Sequence, residues 1–585
     1  VETSSDVPPA PVRAPLLWLL LPLIAGYTAG AAGLAPPPLA AAAGGIIFAV
    51  AGLVLAGRGG RGCIAAQRAS LLLGAFLLAL AWHQYRAAPP LLWTSRPPTE
   101  ATLQLRITRV LEARDEYGRA TGFAAIAQPP HTQPGLAGRG VYFALEPREG
   151  LPPPVRSAVY QARGLLHYVP AQDPAEIPPY LDIEDPADYA AGRRAFFAYL
   201  EESGHPFTLR RGELIERTRA PAAWHALMAR TNARLKATLH SRLFSGNAPP
   251  PPPGAPNPAP GPAGLYAAML LGDKSLLAEA QKTAFQATGT MHLFAISGLH
   301  VGIIAGVLFW LLRRIPCLPR WAEALAGLLV LLLFVEVTGR APSALRAWAM
   351  VAFIWGARAL VRRPVPFPAL VASAFAVLLV APAQLGRAGF QLSYAVVAGI
   401  LLYGLPLFRW ADTRWALYRN LPESSWSFWQ RRKRSLQRWV TGAFAVSLAA
   451  TILAAPLTLL HFSIFAPGAL ALNLLLIPAA GAAVALGFVS GLAGLAGLTP
   501  LAALLNELAL PVLAAMFALV DLFAGIPGIY LPAGFATRSA GYAAALGLLG
   551  LLLFMAARDP HGTRPRLLLL PPAGLAAVLL LTAIA

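Results

Sequence analysis

MHLFAISGLHVGIIAGVLFWLL, residues 291–312, contains two histidines and no residue of fixed charge. A helix needs about 20 predominantly apolar residues to cross the hydrocarbon core of a bilayer. This stretch therefore reads as a membrane span, and it is not alone. Working outward, similar runs lie near 15–33, 39–57 and 69–84 on its N-terminal side. On its C-terminal side they lie near 322–338, 341–357, 366–382, 389–408, 440–460, 468–488, 500–525, 540–556 and 567–584. The pattern predicts a polytopic α-helical membrane protein with about 13 spanning or re-entrant helices. Composition agrees. Of 585 residues, 56% are hydrophobic and only 13% charged, against about 25% charged in a soluble globular protein.

The charge is concentrated in short connections. The chain has 47 basic and 27 acidic residues, a net charge of +20. The long polar stretch 85–290 carries 22 against 18, so about +16 belongs to the apolar remainder. This distribution argues for membrane orientation rather than a nucleic-acid-binding surface. With the N-terminus in the cytoplasm, the inner connections hold Arg58, Arg61 and Arg68, then Arg313, Arg314 and Arg320, then Arg358, Arg362 and Arg363. The dense set from Arg409 to Arg438 and the group Arg558, Arg564 and Arg566 follow. The short outer connections hold only Arg340, Arg387 and Arg538. The expected location is the cytoplasmic (inner) membrane, with residues 85–290 and the C-terminus extracytoplasmic.

Six segments follow. Residues 1–84 read as three transmembrane helices, and 85–190 as an extracytoplasmic β domain, in which Leu103, Leu105 and Ile107 alternate with polar neighbours. A small closed barrel suits such short strands, and an OB-like barrel is one option. Residues 191–245 read as an amphipathic helical segment, with Trp224, Leu227, Met228, Leu235 and Leu239 at helical spacing. A Pro-rich linker occupies 246–263, a helical transmembrane domain 264–558, and a final transmembrane helix 559–585. Cys63 and Cys317 form neither a disulfide framework nor a metal knuckle.

Polar groups inside apolar spans are functional candidates. His292, Ser297 and His300 lie in the opening stretch. Ser297 and His300 share a helix face, which raises a Ser–His hydrolase; interhelical hydrogen bonding or a water-filled cavity is the more ordinary reading. A metal held by His292 and His300 is disfavoured, since eight helical residues separate them by about 12 Å. Arg340, Ser343 and Arg346 cluster at VEVTGRAPSALRAWAM (335–350), where Gly339 and Pro342 mark a turn. Gln391 and Ser393 interrupt the span GRAGFQLSYAVVAGI (386–400), and Asn473 with Pro478 marks a broken helix. Together they describe a polar-lined pathway through a helical bundle. No catalytic residue, cofactor or metal is assigned. A small-molecule transporter with its site at 339–343 and 473–478 is a further alternative.

At these clusters the sequence resembles the ComEC competence-channel family. The resemblance rests on Gly272-Asp273, on HLFAISGLH from His292 to His300, on Gly339 to Ala347, and on Gly389 to Ala395. The family's N-P-G-x-F-D-Y turn after the barrel is missing; DPADYAAGRRAFFAYL (185–200) stands there instead. The resemblance implies an inner-membrane channel conducting single-stranded transforming DNA into the cytoplasm. It implies partners as well: single-stranded DNA, membrane lipid, an extracytoplasmic DNA receptor, a separate nuclease, and a cytoplasmic ATP-driven motor or single-strand-binding protein. Many members carry a C-terminal metallo-β-lactamase-like domain. No H-x-H-x-D-H run occurs in these residues, so no intrinsic nuclease is expected, and no Walker-A sequence supplies energy from within. On the barrel, Tyr117, Phe123, Tyr142, Phe143, Tyr160 and Tyr168 are available to stack on bases.

Overall fold

The computed structural model describes residues 14, 16–34, 36–56, 61–86, 98–112, 118–128, 134–169, 193, 196–197, 199–201, 203–243, 262–273, 277–559, 563–580 and 582–584. The Pro-rich linker, apart from Pro262 and Ala263, lies outside them, as does Tyr117.

Three helices open the chain, α1 (Leu17–Ala31), α2 (Pro38–Ala56) and α3 (Arg61–Arg86). Five strands follow, β1 (Thr99–Glu112), β2 (Ala120–Gln128), β3 (Gly140–Pro147), β4 (Val159–Tyr168) and β5 (Phe207–Arg219). Next come α4 (Ala223–Leu243), α5 (Pro262–Leu271), α6 (Glu279–Ala287), α7 (Gly298–Leu312), α8 (Arg320–Val337) and α9 (Pro342–Ala359). After α10 (Pro366–Val380), the helices α11 (Ala388–Gly399) and α12 (Leu405–Arg414) are joined by a π turn at Ile400–Gly404. The remainder is α13 (Phe428–Phe462), β6 (Ile464–Phe465), α14 (Ala469–Leu495), α15 (Thr499–Ala524), β7 (Leu531–Gly534), α16 (Arg538–Arg558), α17 (Pro565–Leu568), α18 (Leu570–Leu580) and β8 (Ala583–Ile584).

Among the described residues, seven helical runs are long and apolar enough to cross a membrane: Pro38–Ala56, Cys63–Arg86, Ala388–Arg414, Phe428–Phe462, Ala469–Leu495, Thr499–Ala524 and Arg538–Arg558. Shorter apolar helices add Leu17–Ala31, Gly298–Leu312, Pro366–Val380 and Pro565–Leu580. The chain is a polytopic helical membrane protein.

It divides into two units. The first holds residues 1–90, 349–457 and 536–582. Here α3 packs on α1 and α2. A Cβ on Gly74 would stand 3.0 Å from the Gly45 carbonyl oxygen, so small residues let these apolar helices meet backbone to backbone. Tyr27, Trp82 and Arg86 donate to the carbonyls of Leu378, Leu379 and Val380. They satisfy the last turn of α10, whose carbonyls have no partner within the helix.

The second unit holds 91–348, 458–535 and 583–585. Its strands close a barrel in the order β1-β2-β3-β5-β4, with β3 and β5 parallel. Inward side chains such as Leu103, Leu105, Ile107, Val141, Phe143, Tyr160 and Leu209 fill it. The closing strand β5 corrects the helical reading of 191–245, and it lies beyond the boundary at 190. Its alternation is hidden by a bulge. Leu209 and Leu214 both point inward although they are five residues apart. Arg211 between them has φ +52°, and a Cβ at Gly212 would strike the Arg163 carbonyl, so the extra residue breaks the period of two. The described residues 193, 196–197 and 199–201 are helical as expected, and after β5 the helix α4 begins at Ala223. It packs on α5, α8, α14 and α15 rather than standing apart from them.

Candidate functional site

The site is built on helix ends in the second unit. Thr288 and Thr290 close the chain after α6 through hydroxyl bonds to the Ala284 and Phe285 carbonyls. A 3-10 turn at Met291–Phe294 then buries Leu293 and Phe294 and leaves His292 exposed. Ser297 is the N-cap of α7, with extended φ −102°, ψ 172°. Its Oγ accepts from the Leu299 N–H at 3.2 Å. The Ser297 N–H donates to His300 Nδ1 at 3.3 Å, and the Oγ lies 2.9 Å from the same nitrogen. This is a capping box with histidine at N3, where Glu or Gln usually stands.

The cap decides several things at once. Nδ1 accepts a backbone N–H, so the neutral imidazole carries its proton on Nε2. His300 is 1% exposed, and that Nε2–H has no hydrogen-bond partner among the described residues. Ser297 Oγ is already an acceptor for the helix end. The Ser–His pairing therefore has the geometry of a helix cap, without the carboxylate that orients the base in a triad.

A second helix end docks against this turn. α8 stops in left-handed backbone at Gly339 (φ +81°) and Arg340 (φ +56°). The Arg340 N–H returns to the Val335 carbonyl at 2.8 Å. Pro342 then opens α9, where its missing N–H costs no hydrogen bond. Ser343 Oγ donates to the Ile296 carbonyl, and an ideal Cβ on Gly298 would stand 3.7 Å from that of Ala347. One turn further, Arg346 is 4% exposed. The structure thus brings the Ser297–His300 turn and Ser343 together from two separate motifs, with Arg346 buried one turn along the same helix. Gly272, with φ +74°, brings the first motif to the same place, since a Cβ there would stand 3.0 Å from Ile296 Cδ1. Its neighbour Asp273 pairs with Lys236 of α4.

Asn473, on α14, keeps a buried Oδ1 without a hydrogen-bond partner among the described residues. Gln391 and Ser393 belong to the first unit; Gln391 donates to the nearby Leu385 carbonyl at 2.9 Å. Arg340 reaches Glu336 at 3.5 Å.

Sequence reasoning missed the groups that join the barrel to these helices. Glu336, its side chain 11% exposed, accepts from Arg156 of the β3–β4 connection at 3.2 Å while it holds Arg340. Ser157 (φ +67°) accepts from the Ala222 N–H and meets His225 Nδ1, both at 2.9 Å. Burial, then the charge of Arg156, lowers the pKa of His225, opposed by Glu336. Asn232 caps the Val337 carbonyl at 2.8 Å. Deeper, Ser490 donates to Asn506 Oδ1 at 2.7 Å, and Asn506 donates to the Thr238 carbonyl at 3.1 Å. A polar residue in an apolar run is the signal that singled out Asn473, and it was equally present at Ser490 and Asn506. Nothing local marks Arg156 or His225.

Three of the stacking candidates on the barrel, Phe123, Phe143 and Tyr160, are corrected, whereas Tyr142 and Tyr168 are half-buried. Phe143 and Tyr160 fill the interior, and Phe123 is buried with Val169, Phe197 and Leu200. Tyr142 packs against Phe196 and lies beneath the Arg210 guanidinium. In so small a barrel the aromatic side chains are used as core. Among the described residues, no group of three His, Cys, Asp or Glu could hold a metal.

A polytopic helical protein with a β-barrel clipped to its helix ends is the class that fold and site define. Residues 269–558, just under half of the chain, match the family model described as "Competence protein". The chain is 34% identical over 216 residues to ComE operon protein 3 of Bacillus subtilis, covering 37% of this chain and 24% of that protein. It is 26% identical over 208 residues to Recombination protein 2 of Haemophilus influenzae, covering 34% and 24%. It is 31% identical over 147 residues to Competence protein ComA of Neisseria gonorrhoeae, covering 24% and 21%. The matched region thus spans about a quarter of the length of each relative. No solved structure matches.

Proposed function

We propose that this chain is an inner-membrane channel that conducts single-stranded transforming DNA into the cytoplasm, and acts as a conduit rather than a catalyst. One observation carries the reading. Two competence-domain motifs meet at the helix ends, where Ser343 bonds to the Ile296 carbonyl beside the Ser297–His300 cap, and Arg346 is buried one turn along α9. Polar side chains in apolar spans are functional candidates. Among the described residues the Nε2–H of His300 has no acceptor. We assign Arg340, Gln391, Ser393, Asn473 and His292 to the same pathway. The barrel is OB-like on this proposal, supported by its strand order and its parallel β3–β5 closure. It stands outside the membrane with the C-terminus, and the N-terminus lies in the cytoplasm. A DNA receptor outside, a separate nuclease, and a motor or single-strand-binding protein inside complete the process.

The test is uptake of labelled duplex DNA into a deletion strain complemented with wild type, His300→Ala or Arg346→Ala, with membrane insertion verified. Rescue by wild type and a drop of at least tenfold in both variants is expected. Full rescue by both variants would remove the polar locus from the pathway. Failure of well-inserted wild type, with a nuclease domain also supplied in trans, would refute the conduit.

A further inference from the structure

The cytoplasm-facing end of α13 carries a built feature that orientation alone does not require. Arg431, Arg434 and Arg438 recur at i, i+3 and i+7 and so share one face. With Glu423, Ser424, Trp426 and Ser435 they line a cavity of about 680 Å³. The guanidiniums are fixed in place. Arg434, 14% exposed, pairs with Asp412 at 2.6 Å and donates to Gln437 at 2.8 Å. Arg431 Nε donates to the Trp426 carbonyl at 3.1 Å, and Arg438 Nε lies 3.5 Å from Asp412. Three arginines against Asp412 and Glu423, with Arg432 and Lys433 in the same turn, leave the site net positive, the complement of a phosphate anion.

The adjoining face of the same helix is largely apolar and is crossed by Arg432, whose guanidinium lies 5.2 Å over the Phe428 ring. Phe428, Trp429, Leu436 and Trp439 are exposed, Trp429 at 71%. At 1.5 Å per residue, Arg438 lies about 3 Å and Arg431 about 14 Å before the apolar run that begins at Val440. That interval overlaps the headgroup layer, roughly 5–8 Å thick on each side of the core, with Arg438 inside it and Arg431 at its aqueous side. Exposed Trp and Phe beside Arg at this depth suit an interface. A nucleic-acid strand would pair with the arginines but would leave Leu436 and Val440 uncovered. Positive-inside orientation needs the charge but not a cavity with oriented guanidiniums.

We propose that this cavity binds the phosphate of an anionic phospholipid, with the acyl chains running from Trp439 along the apolar run that begins at Val440. The proposal stands on the membrane reading and is independent of DNA conduction.

The test is native mass spectrometry of the purified full chain with equimolar phosphatidylglycerol and phosphatidylcholine. Wild type is expected to retain phosphatidylglycerol at least tenfold over phosphatidylcholine. The preference should fall below threefold in Arg431→Gln/Arg438→Gln and persist in Arg362→Gln/Arg363→Gln, which removes equal charge from another loop. Ser424→Trp, which fills the cavity and leaves every arginine, should lose it too, and guards against a double variant that misfolds. No preference in wild type, or equal loss in both double variants, overturns the site. Displacement of the lipid by equimolar sn-glycerol 3-phosphate would make it a soluble-phosphate site. Tighter binding of a single-stranded oligonucleotide, lost in Arg431→Gln/Arg438→Gln, would make it a nucleic-acid site. Either result overturns the lipid assignment.

Discussion

The turn at Ser297 and the clip at Glu336 are both polar constructions at the ends of apolar helices, yet they are assembled in opposite ways. The first lies within four consecutive residues, Ser297 to His300, and its bonds join i to i+3. The second joins Arg156 to Glu336 across 180 residues of chain and adds Arg340 from the next turn. A local cap holds the end of one helix. A long-range clip fixes the barrel on the helices of the same unit, so its loss is felt by both.

That difference predicts the order of effects. Glu336→Ala leaves Arg156 and Arg340 with no shared carboxylate between them. Removing one partner of a buried pair costs about 3–5 kcal/mol. The partial exposure of the arginines, 33% and 44%, reduces this to about 2 kcal/mol. The expected result is a lower thermal unfolding midpoint in detergent and earlier proteolysis in the 222–262 region. Adding Arg156→Ala to Glu336→Ala should cost little more, because the interaction is already gone. Fully additive losses would mean that the clip contributes nothing and the barrel is held by α4 alone.

At Ser297 a smaller loss is expected. Ser297→Ala removes an N-cap and should cost about 1 kcal/mol. His300→Gln is the sharper probe, since Gln at N3 completes an ordinary capping box. Its unfolding midpoint should fall less than that of His300→Ala, while DNA uptake falls as in His300→Ala. Wild-type uptake in His300→Gln would make the imidazole a capping group with no further role. A large stability loss would show that the ring's packing, rather than its bond to Ser297, holds the turn.

Legibility followed the same division. The apolar runs, the turn at Gly339–Pro342 and the alternation of β1 are local patterns, and the structure places helices, a helix end and a strand at those positions. Ser297 and His300 were recognisable as neighbours on one face, but the cap was not, because periodicity does not reveal where a helix starts. β5 was misread because the bulge at Arg211–Gly212 interrupts its alternation. The convergence of Ser343 on Ile296 and of Arg156 on Glu336 has no trace in spacing. Long-range partners are chosen by how the helices pack, which no window of the sequence contains.

His225 offers the finest test of the clip, because it reports on the same charges without breaking them. Burial and Arg156, with Arg340 also opposing and Glu336 favouring the charged form, hold its pKa below the ordinary 6.5. The unfolded chain takes up that proton near pH 6.5, whereas the folded chain resists it. Stability should therefore fall as pH drops through 6.5 and level off below the folded value. His225→Gln should flatten this part of the profile while keeping a partner for Ser157 Oγ. In Glu336→Gln the favourable charge is gone, so His225 should titrate lower still and the pH-dependent loss should deepen. A profile that Glu336→Gln leaves unchanged would separate His225 electrically from the clip and reduce their proximity to packing.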